Sequence, residues 1–237
     1  EITTRLVGSE MCIRDRGYPE LFYCEGSTIS LKGSTTRKIA FERTSKQHVR
    51  ISQNTVKDSV LVEKMLMNKQ NFKSAKDVDG FVPQASGLYC IRIKNVHLLP
   101  EPFGTILLER GHDILYIGIA SENLYNRFLN QELRAKGHGT FFRSMGAVLG
   151  YKPPKGSLIE KRNKKNYKFS KTDELKIIGW INENLMVNWV ESAGDLDSLE
   201  TSLIVKYLPL LNLSKNPAAL QILSYLRKEC VEIANRN

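Results

Sequence analysis

The chain has 237 residues, enough for one large domain or for one domain with a smaller appendage. Its 41% hydrophobic and 25% charged content excludes a collagen-like, a largely disordered and a polytopic membrane chain, and no run approaches the ~18 consecutive apolar residues of a membrane-spanning helix. Lysine and arginine total 35 against 25 acids, a net charge of +10 that favours a polyanionic partner, nucleic acid before anionic membrane. Cys12, Cys24, Cys90 and Cys230 form no Cys-x-x-Cys pair, which argues against a disulfide framework or zinc ribbon and suits a reducing, cytoplasmic setting.

Leu6 to Arg16 resembles a translated sequencing adapter. It has neither helical nor strand periodicity and lacks the apolar core of a signal peptide, so residues 1–16 are expected to be an artefact. Residues 17–80 read as a basic N-terminal region of no assignable fold. Gly17 to Gly33 shows no clear element, and Lys32, Arg37, Lys38, Arg43, Lys46 and Arg50 then accumulate. The spacing of Val56, Val60, Leu61 and Met65 predicts a helix from Asn54 to Gln70, capped by Asn54 or Thr55. Asp77 to Pro83 reads as a turn, and a soft boundary near Gly80 opens a second domain, residues 81–237.

Gly87 to Ile93 predicts a strand. Pro100 and Pro102 break the chain, and Ile106–Glu109 with Ile114–Ile117 read as a hairpin across a Gly-containing turn. Ser121 caps a helix to about Arg134, with Leu124, Phe128 and Leu129 inward. Gly137-His138-Gly139 stops it, and Thr140 caps a short helix from Phe141 to Leu149. Residues 152–171 form a basic loop with eight Lys/Arg and one Glu, net +7. A helix follows over Asp173–Asn184 with Leu175, Ile178 and Ile181 inward, then a strand over Met186–Val190. Asp195–Leu208 is the last clear helix before Pro209, and Pro217–Ile233 reads as a surface-packed helix.

Taken singly, the polar residues of this region are unremarkable apart from Glu200. It shares a helical face with Leu203, Ile204 and Tyr207, and an inward carboxylate is costly unless it is paired or binds a metal. Its place in the first turns of a helix also suits the dipole. The combination says more. Gly87-Leu-Tyr89 is followed by Tyr116-Ile-Gly-Ile-Ala-Ser121, then by Arg127 nine positions after Gly118. Leu199-Glu-Thr-Ser-Leu-Ile204 leads into Pro209-Leu-Leu-Asn212 and Asn216-Pro217. In this order the strings resemble the GIY-YIG nuclease superfamily across residues 87–216. Two spacings depart from the family pattern. Twenty-six residues separate Tyr89 from Tyr116, which calls for an inserted hairpin or loop, and the Gly118–Arg127 spacing is one residue longer than in many members.

The resemblance implies an α/β fold, a small central antiparallel three-stranded sheet flanked by helices, here with a basic N-terminal extension. It implies a metal-dependent endonuclease acting on DNA phosphodiester bonds with one divalent ion, Mg²⁺ or Mn²⁺, on Glu200. Such a reaction must orient a water in line and neutralise the charge that develops on phosphorus oxygens. By the resemblance, Glu200 holds the metal and Arg127 clamps the phosphate. Tyr89 and Tyr116 orient or deprotonate the water, with Arg127 as the cation that could favour a phenolate. His138 is a second candidate base, or a turn histidine. Asn212 pins the site from the far side, or ends a helix. Arg143, Lys161, Arg162, Lys164 and Lys165 are the expected DNA contacts, with Arg134 and Lys136 able to extend the stripe; the lysine-rich run reads equally as solvated surface. The expected partner is DNA, not membrane. Two alternatives stand beside this: an inactive DNA-binding module of the same fold, and a nuclease acting on RNA or in DNA repair.

Overall fold

The computed structural model describes residues 58–237. The adapter-like segment, the basic cluster up to Arg50 and the start of the helix expected at Asn54 lie outside the described residues. Four strands form one antiparallel sheet in the order β1-β4-β2-β3: β1 is Lys73–Ser74, β2 Gly87–Ile93, β3 Ile114–Ala120 and β4 Leu185–Glu191. The expected three strands are β2, β3 and β4. The fourth, β1, is a two-residue edge strand pairing Lys73 with Val187 and Ser74 with Met186, too short to leave a periodic signal in sequence. β2 lies between two partners and all seven of its residues are buried, as a strand covered on both faces must be.

Side-chain alternation along β2 divides the core. Leu88 and Cys90 point to one layer, with Ile117, Val190 and the residues Leu66, Leu203 and Ile204. Tyr89, Ile91 and Ile93 point to the other, with Phe128, Leu133, Phe141, Ile177 and Ile181. The first layer is supplied by α1 (residues 58–67) and α5 (Leu196–Tyr207). The second is supplied by a π-helix (Tyr125–Leu133), α3 (Thr140–Val148) and α4 (Lys171–Asn184), with α6 (Gln221–Asn235) behind α3. Among the described residues no helix is long and apolar enough to cross a membrane.

Several sequence expectations are corrected. Ile106–Glu109 is not a strand. It ends a helix, α2 (Phe103–Glu109), which buries Phe103 and Leu107 one turn apart; a four-residue apolar run does not distinguish the two periods. β3 pairs with β2 instead, Tyr89 opposite Gly118, so the insertion between the motif strands is helical. Arg110 at the end of α2 donates to the carbonyls of Leu208, Pro209 and Ala218, which ties the insertion to the Pro-Leu-Leu-Asn segment. In α1 the inward face is Val62 and Leu66, whereas Val60, Leu61 and Met65 are exposed. Asn188 of β4 decides this by donating to the Met65 and Leu66 carbonyls, which fixes the helix's rotation. In α4 Leu175 is exposed and Glu174, Ile177 and Ile181 are buried. Ser121 does not cap the next helix. Asn123 does, accepting from the Asn126 amide, while the Leu124 and Tyr125 amides donate to Ala85 and Pro83 ahead of β2.

Candidate active site

Tyr89 and Tyr116 stand on adjacent strands, β2 and β3, with ring centroids 6.2 Å apart and nearly parallel planes. Phe128 of the π-helix stacks on Tyr89 with centroids 4.7 Å apart. Tyr89 is fully buried, and its hydroxyl donates to Glu132 Oε1 at 3.4 Å. Tyr116 retains a small exposure, and its hydroxyl makes no protein hydrogen bond among the described residues. Burial pushes both phenols well above their ordinary range. The Glu132 carboxylate pushes in the same direction, and Arg127 opposes it without prevailing. At neutral pH both tyrosines therefore keep their protons, with Arg127 pulling toward the phenolate and burial outweighing it.

Arg127 lies on the π-helix with its side chain one-third exposed. One terminal nitrogen donates to Gln131 Oε1 at 3.0 Å and the other pairs with Glu132 Oε1 at 3.0 Å. The pairing depends on the helix type. At 3.6 residues per turn, residues five apart lie about 140° around an α-helix. The wider turns of a π-helix bring 127 and 132 to one side.

Glu132 is missing from the sequence-derived set. It is completely buried, and its second oxygen accepts from the amides of Phe141 (2.8 Å) and Phe142 (3.3 Å) at the start of α3. Thr140 does not cap this helix; Glu132 does, from the preceding one. Gly139 occupies the N-cap, where a Cβ would collide with the Gln131 carbonyl and Glu132 Oε2. One signal was available in sequence: Glu132 follows Phe128 by four and Leu129 by three, on the apolar face of its helix.

Glu200, on α5, keeps 13% of its side chain exposed, above the buried Leu203 and Ile204. Its negative charge adds a small upward push to both phenols. Lys215 Nζ lies 2.8 Å from Glu200 Oε2 and 2.5 Å from Asp197 Oδ1. Lys215 has a left-handed backbone (φ 63°), in a turn held by Asn216 donating to the Pro209 and Asn212 carbonyls. Asn212 is buried beside β3. Its Oδ1 accepts from the Ile117 amide at 3.0 Å and its Nδ2 donates to the Ile117 carbonyl at 2.8 Å. With the Leu210 and Leu211 amides donating to Ile114 and Leu115, this side chain occupies the place of a further strand along the β3 edge.

His138 is exposed and lines a cavity of about 610 Å³ with Lys161, Arg162, Asn163, Lys168 and Phe169; neither tyrosine is part of that lining. Burial, Lys168 and Arg143 hold its imidazole below the usual histidine range, so it is neutral at pH 7. The expected DNA contacts separate into two groups. Lys161, Arg162 and Lys165 are exposed and enter no ion pair among the described residues. Arg143 is nearly buried and donates to the carbonyls of Gly139, Lys165 and His138 and to Asn166 Oδ1. Lys164 Nζ donates to the Leu158 and Ile159 carbonyls. These two hold the loop in place. Arg134 is likewise engaged, by Asp79, Asn182 and the Ala75 carbonyl, whereas Lys136 is exposed.

Stacked phenols stand beside an arginine fork on a small antiparallel sheet whose edge is closed by an asparagine. The family model of the GIY-YIG catalytic domain matches residues 87–229, and the chain belongs to this family, a family of nuclease domains. No curated protein and no solved structure matches the chain.

Proposed function

We propose that this protein is a metal-dependent endonuclease that hydrolyses DNA phosphodiester bonds. The observation that supports this reading is the pair of stacked motif phenols, Tyr89 and Tyr116 on adjacent strands, beside the one-third-exposed Arg127 fork, with the Arg127 and Glu200 charges both acting on the Tyr116 hydroxyl. Arg127 has five N–H donors, and the Gln131 and Glu132 contacts use two of them, leaving the outer edge for phosphate oxygens. The Tyr116 hydroxyl, protonated and without a protein partner, orients the attacking water. Tyr89 supports it from behind. A neutral His138 at the mouth of the basic cavity is able to accept a proton.

The residues fit a hard divalent cation. Glu200 offers a partly exposed carboxylate, and the place already stabilises positive charge, since the Lys215 ammonium rests on it and on Asp197. A single carboxylate is the kind of anchor that Mg²⁺ takes, because this ion retains most of its waters. When bound at Glu200, such an ion supplies Lewis-acid neutralisation of charge developing on the phosphate or leaving oxygen. Lys161, Arg162, Lys165 and Lys168 supply the fixed positive surface along which the phosphodiester chain lies.

The test is single-turnover nicking of supercoiled plasmid, run beside a binding titration. The expected result is cleavage that requires Mg²⁺ or Mn²⁺ and is abolished in Glu200→Gln with the fold intact. Binding without cleavage by the wild type identifies a binding module instead. Cleavage of RNA in preference to DNA moves the substrate class.

A further inference from the structure

Glu132 is a carboxylate buried at the centre of a site meant for an anion, which calls for an explanation. Its two oxygens offer about four lone-pair directions, and four donors fill them. Oε1 takes Arg127 at 3.0 Å and the Tyr89 hydroxyl at 3.4 Å, and Oε2 takes the Phe141 and Phe142 amides. Nothing remains for a metal or a water, so Glu132 neither binds the ion nor serves as the base. Burial raises the Glu132 carboxyl above its ordinary range, and Arg127 and the α3 amides oppose this; a carboxyl whose donors are all internal serves the geometry of its neighbours.

We propose that Glu132 is the positioning residue of this active site. It holds the Arg127 fork at the phosphate position and locks it, through Tyr89 and the α3 N-terminus, to the motif strands. The inference rests on the nuclease reading for its catalytic consequence and on geometry alone for its structural one. Three elements meet at this carboxylate: β2 through Tyr89, the π-helix through Arg127, and α3 through its first amides. Arg127 has long, flexible torsions and one-third exposure; without an anchor its guanidinium would sample solvent, and the ordering would have to be supplied by the substrate. The two α3 amides fix the anchor itself, since a buried carboxylate at a helix N-terminus is held by oriented donors. Gly139 permits the approach, because any side chain there would displace Glu132.

Glu132→Gln is the discriminating variant. Its amide oxygen can still cap α3, but its NH₂ turns a donor toward Arg127 and Tyr89, both donors themselves. The guanidinium resonances of Arg127, assigned by their loss in Arg127→Met, are expected to be resolved and slowly exchanging in the wild type and averaged with solvent-exposed arginines in Glu132→Gln. In single-turnover cleavage at saturating DNA, Glu132→Gln should fall about 10²-fold, the scale of losing one preorganised donor. Binding should change less than about 3-fold by the same reasoning, since the anchor does not touch DNA. The Glu132→Gln/Arg127→Met double variant should cleave no more slowly than Arg127→Met alone. A double variant as slow as the product of the two singles, or unchanged Arg127 resonances in Glu132→Gln, overturns the proposal. If the wild type does not cleave DNA, the nuclease reading fails, and the resonances alone decide the role of Glu132. If Glu132→Gln does not fold, Glu132→Asp carries the test: it keeps the charge but shortens the reach, and an unchanged rate with unchanged Arg127 resonances would equally overturn the proposal.

Discussion

Tyr89 lies directly across Gly118, its partner in the β2–β3 ladder: a β-carbon at 118 would fall 2.5 Å from both Cζ and the hydroxyl oxygen of the tyrosine, and 2.8 Å from the Tyr116 ring. The glycine of one motif strand thus makes room for the tyrosine of the other. This is why the two tripeptides belong together although the chain separates them by an inserted helix.

Gly118→Ala is therefore expected to push both rings off their stacked positions. Overpacking of this kind costs about 1–3 kcal/mol, read as a lowered midpoint in urea. Cleavage should fall further than stability accounts for, because the phenol and its Glu132 partner move together. A variant that cleaves normally would show that the stacked arrangement is dispensable.

Tyr89, Tyr116 and Arg127 are expected to act as a unit. Tyr116→Phe should lower the single-turnover rate by about 10²-fold or more, the lower end of what a positioned proton-handling group contributes. Tyr89→Phe should cost less, since its hydroxyl makes only a 3.4 Å hydrogen bond behind the site. Arg127→Ala should slow cleavage the most, to a residual rate, and also destabilise the fold by up to about 3 kcal/mol, by leaving the buried Glu132 without its partner. The triple variant should be little slower than the slowest single variant. Additive losses would separate the three roles.

The phenols also set an alkaline limit on stability. Burial holds the Tyr89 and Tyr116 protons in the folded state above the ordinary value near 10. Above about pH 10 the unfolded chain releases protons that the folded chain retains, so stability is full below that pH and declines above it. Urea midpoints measured from pH 8.5 to 11 should show this decline, and it should be shallower in Tyr89→Phe and Tyr116→Phe. An identical slope in the variants would contradict the burial of these hydroxyls.

Reversing Lys161, Arg162 and Lys165 to Glu should weaken DNA binding and reduce the slope of log K against log salt by about 3, close to one for each phosphate that is no longer neutralised. Lys164 and Arg143 are left intact, because they hold the loop's own carbonyls. An unchanged slope would leave these cations as solvated surface.

Asn212→Ala removes both hydrogen bonds to Ile117 and leaves a buried amide and carbonyl beside Tyr116 unsatisfied. A cost of about 2–4 kcal/mol is expected, with Asn212→Asp intermediate because it keeps the acceptor. A change below about 0.5 kcal/mol would mean that water replaces the side chain, since ordinary surface substitutions stay within that range.

By itself the sequence determined the strands β2 and β4, the helices α4 and α5, and membership of the GIY-YIG family. In each, a local signal coincides with the final environment: an apolar run bounded by a turn, Ser170 and Asp195 capping their helices through Asp173 and Ser198, or motif strings in a fixed order. Only the tertiary structure decided the rest. Ile106–Glu109 became helix because Phe103 and Leu107 found the core together. α1 turned Leu66 inward because Asn188, more than a hundred residues away in sequence, seized its last carbonyls. Glu132 is scarcely legible in the sequence, because a lone glutamate on a helix is ordinarily solvated. Its burial is decided by four donors on three elements that meet only when the sheet, the π-helix and α3 are assembled. Arg143 and Lys164 read as phosphate contacts for the converse reason. A charge in sequence carries no record of the backbone carbonyls that the folded chain will bring to it.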